Sequence, residues 1–210
     1  THIIYQLVLI KAYEGLDFSV AYPLARGTVP VVTAVLGILV LGDSLSLIGF
    51  LSIVMISVGL LILAWRNRPK FAALLSALAA GLLTSAYSLV DAYGVRVAEA
   101  PMVFIVWFFL LEGVVIMTVA LWRRGAALSG LIRTEGRAGV VGAILSVIGY
   151  GAVLLAFSIA PAGAVAALRE TSVAFAGLYA FFVLKEQIQV RRILAMSAIL
   201  VGAAVLSLAG

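Results

Sequence analysis

Cysteine is absent from this chain of 210 residues, and charged residues make up only 11% of it. Without cysteine, neither disulfides nor thiol chemistry can contribute to the fold or to a function. The one histidine, His2, stands at the very start, so we expect no His/Cys metal site, no other metal site and no cofactor. Soluble domains carry about 25% charged residues. The shortage of charge therefore indicates an integral membrane protein.

Apolar residues make up 65% of the chain, and its mean hydropathy is +1.25. They fall into runs of about twenty residues, the length a helix needs to cross roughly 30 Å of hydrocarbon. Nothing alternates in the ten-residue pattern of barrel strands. The sequence therefore predicts an all-α bundle of eight membrane helices, at about 2–15, 18–41, 45–64, 71–93, 101–122, 138–160, 162–184 and 188–209.

The lysines and arginines between these segments are unevenly distributed. After the second, fourth and sixth segments there is only Arg96. The other side holds Lys11, Arg66, Arg68, Lys70, Arg123, Arg124, Arg133, Arg137, Lys185, Arg191 and Arg192. Because cytoplasmic loops carry the excess of cations, we expect 65–70 to be a cytoplasmic linker, 123–137 a cytoplasmic loop and the C-terminus at Gly210 periplasmic. The net charge of +5 is then a topology signal, and no nucleic-acid partner is expected.

Part of the chain repeats. The stretch 18–43 resembles 162–186, and these pairs fall into register at an offset of 143 residues: Arg26 on Arg169, Thr28 on Thr171, Asp43 on Glu186 and Gly59 on Gly202. Five segments separate equivalent helices, so these cross in opposite directions and the repeat is inverted. Internal repeats of this kind are typical of secondary transporters. We expect a first repeat at 1–64, incomplete by about two helices, and a second repeat of five helices at 71–210.

Specific motifs carry a family resemblance. AYPLARGTVPVVTAVLGILVLGD, with Pro30 and Gly42-Asp43, and ALRETSVAFAGLYAFFVLKE, with Lys185-Glu186, resemble the paired signatures of EamA-type drug/metabolite transporters. Asp43 replaces the usual Glu, and Val173 stands where the family has proline. The resemblance implies ten helices, eight of them present here, in two inverted repeats around a central cavity of a multi-pass inner-membrane protein.

The function implied is secondary transport, with export of a small organic metabolite by alternating access and with proton coupling as one option. We expect a small-molecule substrate, contact with membrane lipid, and a monomer or homodimer. No nucleotide-binding loop is visible, so ATP is not the direct driver. A lipid-carrier flippase subunit and a non-transporting membrane sensor or assembly factor remain alternatives. An enzyme is not expected, because no catalytic constellation lies at depth.

Four charges lie deep in apolar segments: Arg26, Glu112, Arg169 and Glu170. A lone charge at depth costs roughly 2.5–3.5 kcal/mol even on lenient scales. Adjacent helical residues point about 100° apart, so we expect Arg169 and Glu170 not to satisfy each other. Arg169 should then pair with Glu112 or with the shallower Asp91. The charges are either a structural cross-bundle network or a substrate pathway, in which Glu112 and Glu170 could carry a proton.

Two helix faces extend this predicted substrate site. Tyr87, Ser88 and Asp91 share one face with Thr84 at helical spacing. Phe108 and Glu112 share another with Phe104, beside Trp107, and an aromatic wall next to a buried acid fits an organic solute as well as it fits lipid or core.

Two prolines and two acids complete the predictions. Pro23 and Pro30 flank Arg26 and free backbone carbonyls, which predicts a hinge. Asp43 and Glu186 end equivalent helices and are expected to be caps.

Overall fold

The computed structural model describes residues 18–64, 71–125, 127–185 and 189–209, and these residues are overwhelmingly helical. The predicted first segment at 2–15, the linker at 65–70 and Glu186 lie outside the described residues. The helices are α1 (Phe18–Leu36), followed by a π-helical turn (Gly37–Leu41), α2 (Leu47–Ala64), α3 (Phe71–Val97), α4 (Pro101–Arg124), α5 (Ala127–Ile159), α6 (Ala162–Arg169), α7 (Thr171–Phe182) and α8 (Val190–Ala209).

The helical segments follow the apolar runs, because a backbone in hydrocarbon has to satisfy its hydrogen bonds within its own segment. Two boundaries differ from the prediction. The expected loop 123–137 is largely helix, since α5 begins at Ala127; its Ala, Leu and Arg residues are good helix formers, whatever their polarity. The expected single segment at 162–184 is interrupted at Glu170, between α6 and α7.

The chain forms two compact units. One contains the described residues up to Val90 together with those from Ala160 onward, and the other contains the described residues of Asp91–Ile159. In the first unit, α1 and α2 pack side by side, α2 packs along α8, and α6 packs on α1. In the second unit, α4 packs on α5.

The core of the first unit is made of small and branched apolar side chains. Without a hydrophobic driving force in lipid, helices associate through close van der Waals packing, which favours small residues at their contacts. The buried cluster comprises Ala34, Ile53, Ile56, Leu60, Ala167, Ala174, Met196, Ile199, Ala203 and Leu206.

Two glycines set the spacing between α2 and α8. A Cβ added to Gly59 would lie 2.9 Å from the carbonyl oxygen of Ala195, and one added to Gly202 would lie 3.1 Å from that of Ser52. Since real Cβ atoms avoid such distances, each glycine allows the backbone of the opposite helix to approach. The two contacts are reciprocal, because the offset of 143 residues relates Gly59 to Gly202 and Ser52 to Ala195.

Candidate functional site

Three charged side chains meet where the helix breaks between α6 and α7. Nη1 of Arg26, from α1, donates a hydrogen bond of 2.8 Å to Oε1 of Glu170. Nε of Arg169 lies 3.6 Å from the same oxygen. The Glu170 side chain is fully buried, whereas Arg26 keeps 28% and Arg169 keeps 16% of its side-chain surface. One buried carboxylate therefore holds two arginines that remain partly accessible.

The expectation that Arg169 and Glu170 do not satisfy each other is compatible with this geometry. Their charges lie near each other at 3.6 Å, but this distance is too long for a hydrogen bond, and Glu170 takes its hydrogen bond from another helix. The interhelical partner of Glu170 is Arg26, the residue that the sequence repeat pairs with Arg169. The pairing of Arg169 with Glu112 or Asp91 stays a prediction.

Several polar atoms of this cluster have unused hydrogen-bonding capacity. Oε2 of Glu170 and Nε of Arg169 are buried, and neither has a hydrogen-bond partner among residues 18–64, 71–125, 127–185 and 189–209. A buried polar group without a partner costs about 1–3 kcal/mol, and more when it is charged. Such a cost points to a group that a ligand or water completes.

Asp43 joins the first predicted copy to the second in a different way. Its Oδ2 accepts a hydrogen bond of 2.7 Å from the backbone N–H of Ala162, the first residue of α6. Helix N-termini have unsatisfied N–H groups and a partial positive charge, so an acidic side chain stabilises them. The sequence indicated Asp43 as a cap at the end of its own helix, whereas in the structure it caps the start of α6, which belongs to the other predicted copy.

The polar residues predicted to share a face of α3 are all buried. Thr84, Tyr87, Ser88 and Asp91 keep at most 8% of their surface. The Thr84 hydroxyl donates to the carbonyl of Ala80 at 2.8 Å, which is local helix bonding. The Ser88 hydroxyl has no hydrogen-bond partner in the described part of the chain. The face is therefore polar and enclosed.

In the second unit, Asp91 is tied to an aromatic cluster. The Tyr150 hydroxyl donates to Oδ2 of Asp91 at 2.5 Å. Phe108 packs against Tyr150 with ring centroids 5.7 Å apart, and Phe104 stacks on Phe108 at 6.3 Å. Phe109, which the periodicity of α4 did not single out, lies edge-on to Tyr150 at 6.5 Å. These distances suit favourable aromatic pairs.

The other predicted site residues lie on α4 and α1. Trp107 is 59% exposed on α4, while Glu112 on the same helix is half-buried. Pro30 is fully buried in α1, and this helix runs without interruption through both Pro23 and Pro30. The irregular π-helical turn comes later, from Gly37 to Leu41. The hinge at the prolines stays a prediction.

The sequence did not indicate the contacts that Tyr150 and Arg96 make. The Nε of Arg96 donates to the carbonyl oxygen of Phe157 at 2.8 Å, which ties α3 to α5 within the second unit. Neither residue belongs to a periodic stripe. The only available signal was a polar group in an apolar run, and such a group has to find a partner.

No cluster of three or more metal-binding side chains occurs among the described residues. Five helical stretches in that part of the chain are long and apolar enough to cross a membrane, one of them running through α6 and α7 from Ala162 to Phe182, and two further apolar helices are shorter. Together with charges buried between helices, this defines a helical membrane protein.

The model of the EamA-like transporter family matches residues 71–208, about two thirds of the chain, so the chain belongs to this family. The matched region runs from the start of α3 almost to the end of α8. No curated protein matches the chain. Membership implies a non-enzymatic transporter of the drug/metabolite transporter superfamily.

Proposed function

We propose that this chain is a secondary transporter that exports a small organic metabolite across the inner membrane by alternating access, with the cluster of Arg26, Arg169 and Glu170 lining the pathway. The observation that carries the proposal is the 2.8 Å bond between Arg26 and Glu170. It joins helices of the two predicted copies through charges that are costly at depth. In a family of transporters, binding of a solute explains such charges better than a purely structural role does.

The packing supports two inverted repeats. The reciprocal contacts of Gly59 and Gly202 between α2 and α8 are what a pseudo-two-fold axis requires, since each residue on one side meets the equivalent set on the other. Transporters built from inverted repeats place their substrate sites at the repeat interface, often at interrupted helices. The break at Glu170, between α6 and α7, fits that description.

Orientation and coupling complete the proposal. The described cations Arg133, Lys185, Arg191 and Arg192 lie on the side that carries the excess of positive charge in the sequence. Because cytoplasmic loops carry such an excess, we propose that this side is cytoplasmic and that the C-terminus is periplasmic. A C-terminal reporter should therefore be active in the periplasm, and cytoplasmic activity would overturn this orientation. If transport is coupled to protons, Glu112 and Glu170 are the groups that would carry them.

The decisive experiment is flux through the natural full-length protein in proteoliposomes. The panel comprises amino acids, organic cations, nucleosides and phosphonates, each loaded inside and followed outward. We expect one class to leave faster than from protein-free vesicles, and Glu170→Gln to lower this flux at least tenfold because the carboxylate that fixes both arginines is lost.

The matched control is Glu135→Gln, which removes the same charge from an exposed position of α5. It should leave the flux unchanged. A protein that moves no member of the panel would refute transport of these classes and favour a sensor or assembly factor. Unchanged flux in Glu170→Gln would show that the cluster is scaffolding.

A further inference from the structure

The charges of the cluster at the helix break are unequally paired. Glu170 uses Oε1 for Arg26 at 2.8 Å, whereas Arg169 approaches that oxygen only to 3.6 Å. A guanidinium has five N–H donors in a planar fork that matches a carboxylate. Arg169 donates no hydrogen bond to any acceptor in the part of the chain that the structure describes. Its guanidinium is therefore a charged group with no hydrogen-bond acceptor among the described residues.

We propose that Arg169 is the binding group for an oxyanion of the substrate, so that the transported solute is a small organic acid. This inference rests on the proposed transport function and specifies its substrate class. The carboxylate of the solute would take the bidentate place on Arg169. Glu170 would act as a positioning residue that holds Arg26 and Arg169 at the site without contacting the solute.

The surroundings leave the Arg169 guanidinium within reach of a solute. The 16% exposure of its side chain leaves part of it accessible, although its Nε is buried.

The attraction of an oxyanion to Arg169 must also exceed its repulsion from the Glu170 carboxylate. Oε1 of this residue is already engaged by Arg26. The guanidinium of Arg169 is therefore a positive charge that donates no hydrogen bond to Glu170. In a water-poor environment, where charge interactions are weakly screened, this charge favours an anion over a cation.

The test compares three ligands with the same ring and different charge: benzoate, benzamide and benzylamine. Binding to the purified full-length protein in detergent is measured at neutral pH by calorimetry and by the shift in Tm. We expect benzoate to bind at least tenfold more tightly than benzamide, and benzylamine not to bind at the cluster. Equal affinity for benzoate and benzamide would refute the oxyanion site.

Variants locate the site. Arg169→Gln should weaken benzoate binding about tenfold to a hundredfold, the range for losing hydrogen bonds to a charged group. Arg169→Lys keeps the charge but loses the fork, so it should retain an intermediate affinity, and it remains informative if Arg169→Gln does not fold. Arg137→Gln removes a cation at an exposed position and should change the affinity less than twofold. An equal loss in Arg137→Gln would mean that benzoate responds only to net charge.

The failure of this inference and that of the transport proposal are distinguishable. A protein that transports a solute but shows no preference for benzoate refutes the oxyanion site and leaves transport intact. A protein that binds benzoate through Arg169 but moves no solute refutes transport and leaves the site intact.

Discussion

The contact between α2 and α8 is reciprocal, whereas the charge cluster is not. Gly59 and Gly202 make equivalent close approaches on the two sides of the helix pair. At the cluster, Arg26 and Arg169 are related by the same offset, but Glu170 corresponds to Gly27, which has no side chain. The helix packing thus has a counterpart at the sequence offset, whereas the buried carboxylate has none. In the proposed transporter, packing would constrain both predicted copies equally, while a solute without two-fold symmetry would need only one carboxylate.

The largest effect should come from removing the centre of the asymmetric site. Glu170→Leu leaves Arg26 and Arg169 without their buried partner, and breaking a buried pair in this way costs about 3–5 kcal/mol. The free energy of unfolding in detergent measures the loss. Glu170→Gln keeps an acceptor oxygen for Arg26 and should lose less than half as much. A loss below about 1 kcal/mol for Glu170→Leu would show that the ion pair contributes little to the fold.

The symmetric contact should respond equally on both sides. Gly59→Ala and Gly202→Ala each place a Cβ against a backbone carbonyl, and overpacking of this kind costs about 1–3 kcal/mol. Alanine returns up to about 1 kcal/mol through helix propensity. We expect a net loss of about 1–2 kcal/mol in the free energy of unfolding for each variant.

The matched control for the glycine contacts is Gly139→Ala, because a Cβ at Gly139 meets nothing within 4 Å. This variant should be neutral or slightly stabilising. Losses that differ between Gly59→Ala and Gly202→Ala by more than about 1 kcal/mol would argue against an equivalent contact on the two sides.

The sequence was a good guide to where helices lie and a poor guide to what their polar groups contact. Apolar runs located α2 and α8 closely, since the requirement for internal hydrogen bonds acts along the chain. The prediction of a loop at 123–137 was wrong, because polar residues were taken as a sign of a loop, whereas the helix propensity of this stretch favours a helix. The cost of placing a charge in hydrocarbon identified three candidate site residues from the sequence: Arg26, Arg169 and Glu170.

The pairing of these charges could not be derived in the same way. Whether Arg26 or Arg169 makes the hydrogen bond to Glu170 depends on the break after α6 and on the distance between helices, which no periodicity encodes. The bond from Tyr150 to Asp91 escaped prediction for the same reason, since the two residues lie on different helices.

Asp43 offers a smaller test of the connection between the two predicted copies. Asp43→Ala removes the acceptor of the Ala162 N–H, and losing an N-terminal helix cap costs about 1 kcal/mol. Asp43→Asn retains an oxygen acceptor and should cost only a few tenths. Thermal unfolding of the two variants checks the order, and an equal loss in both would assign the role of Asp43 to its charge rather than to the hydrogen bond.

The smallest expected effect is a difference in stability between lysine variants of Arg26 and Arg169, the two arginines that the sequence repeat places in register. Arg26→Lys replaces a guanidinium that donates to Glu170 at 2.8 Å, whereas Arg169→Lys replaces one that makes no hydrogen bond to another described residue. A lysine keeps the charge but loses the planar fork, so the cost should track the hydrogen bond. We expect a loss of about 0.5–1 kcal/mol for Arg26→Lys. For Arg169→Lys it should stay below about 0.5 kcal/mol, because no hydrogen bond is lost. Unfolding in detergent without ligand measures both. Equal losses would mean that the two arginines support the fold alike, and the asymmetry of the cluster would then have no energetic consequence.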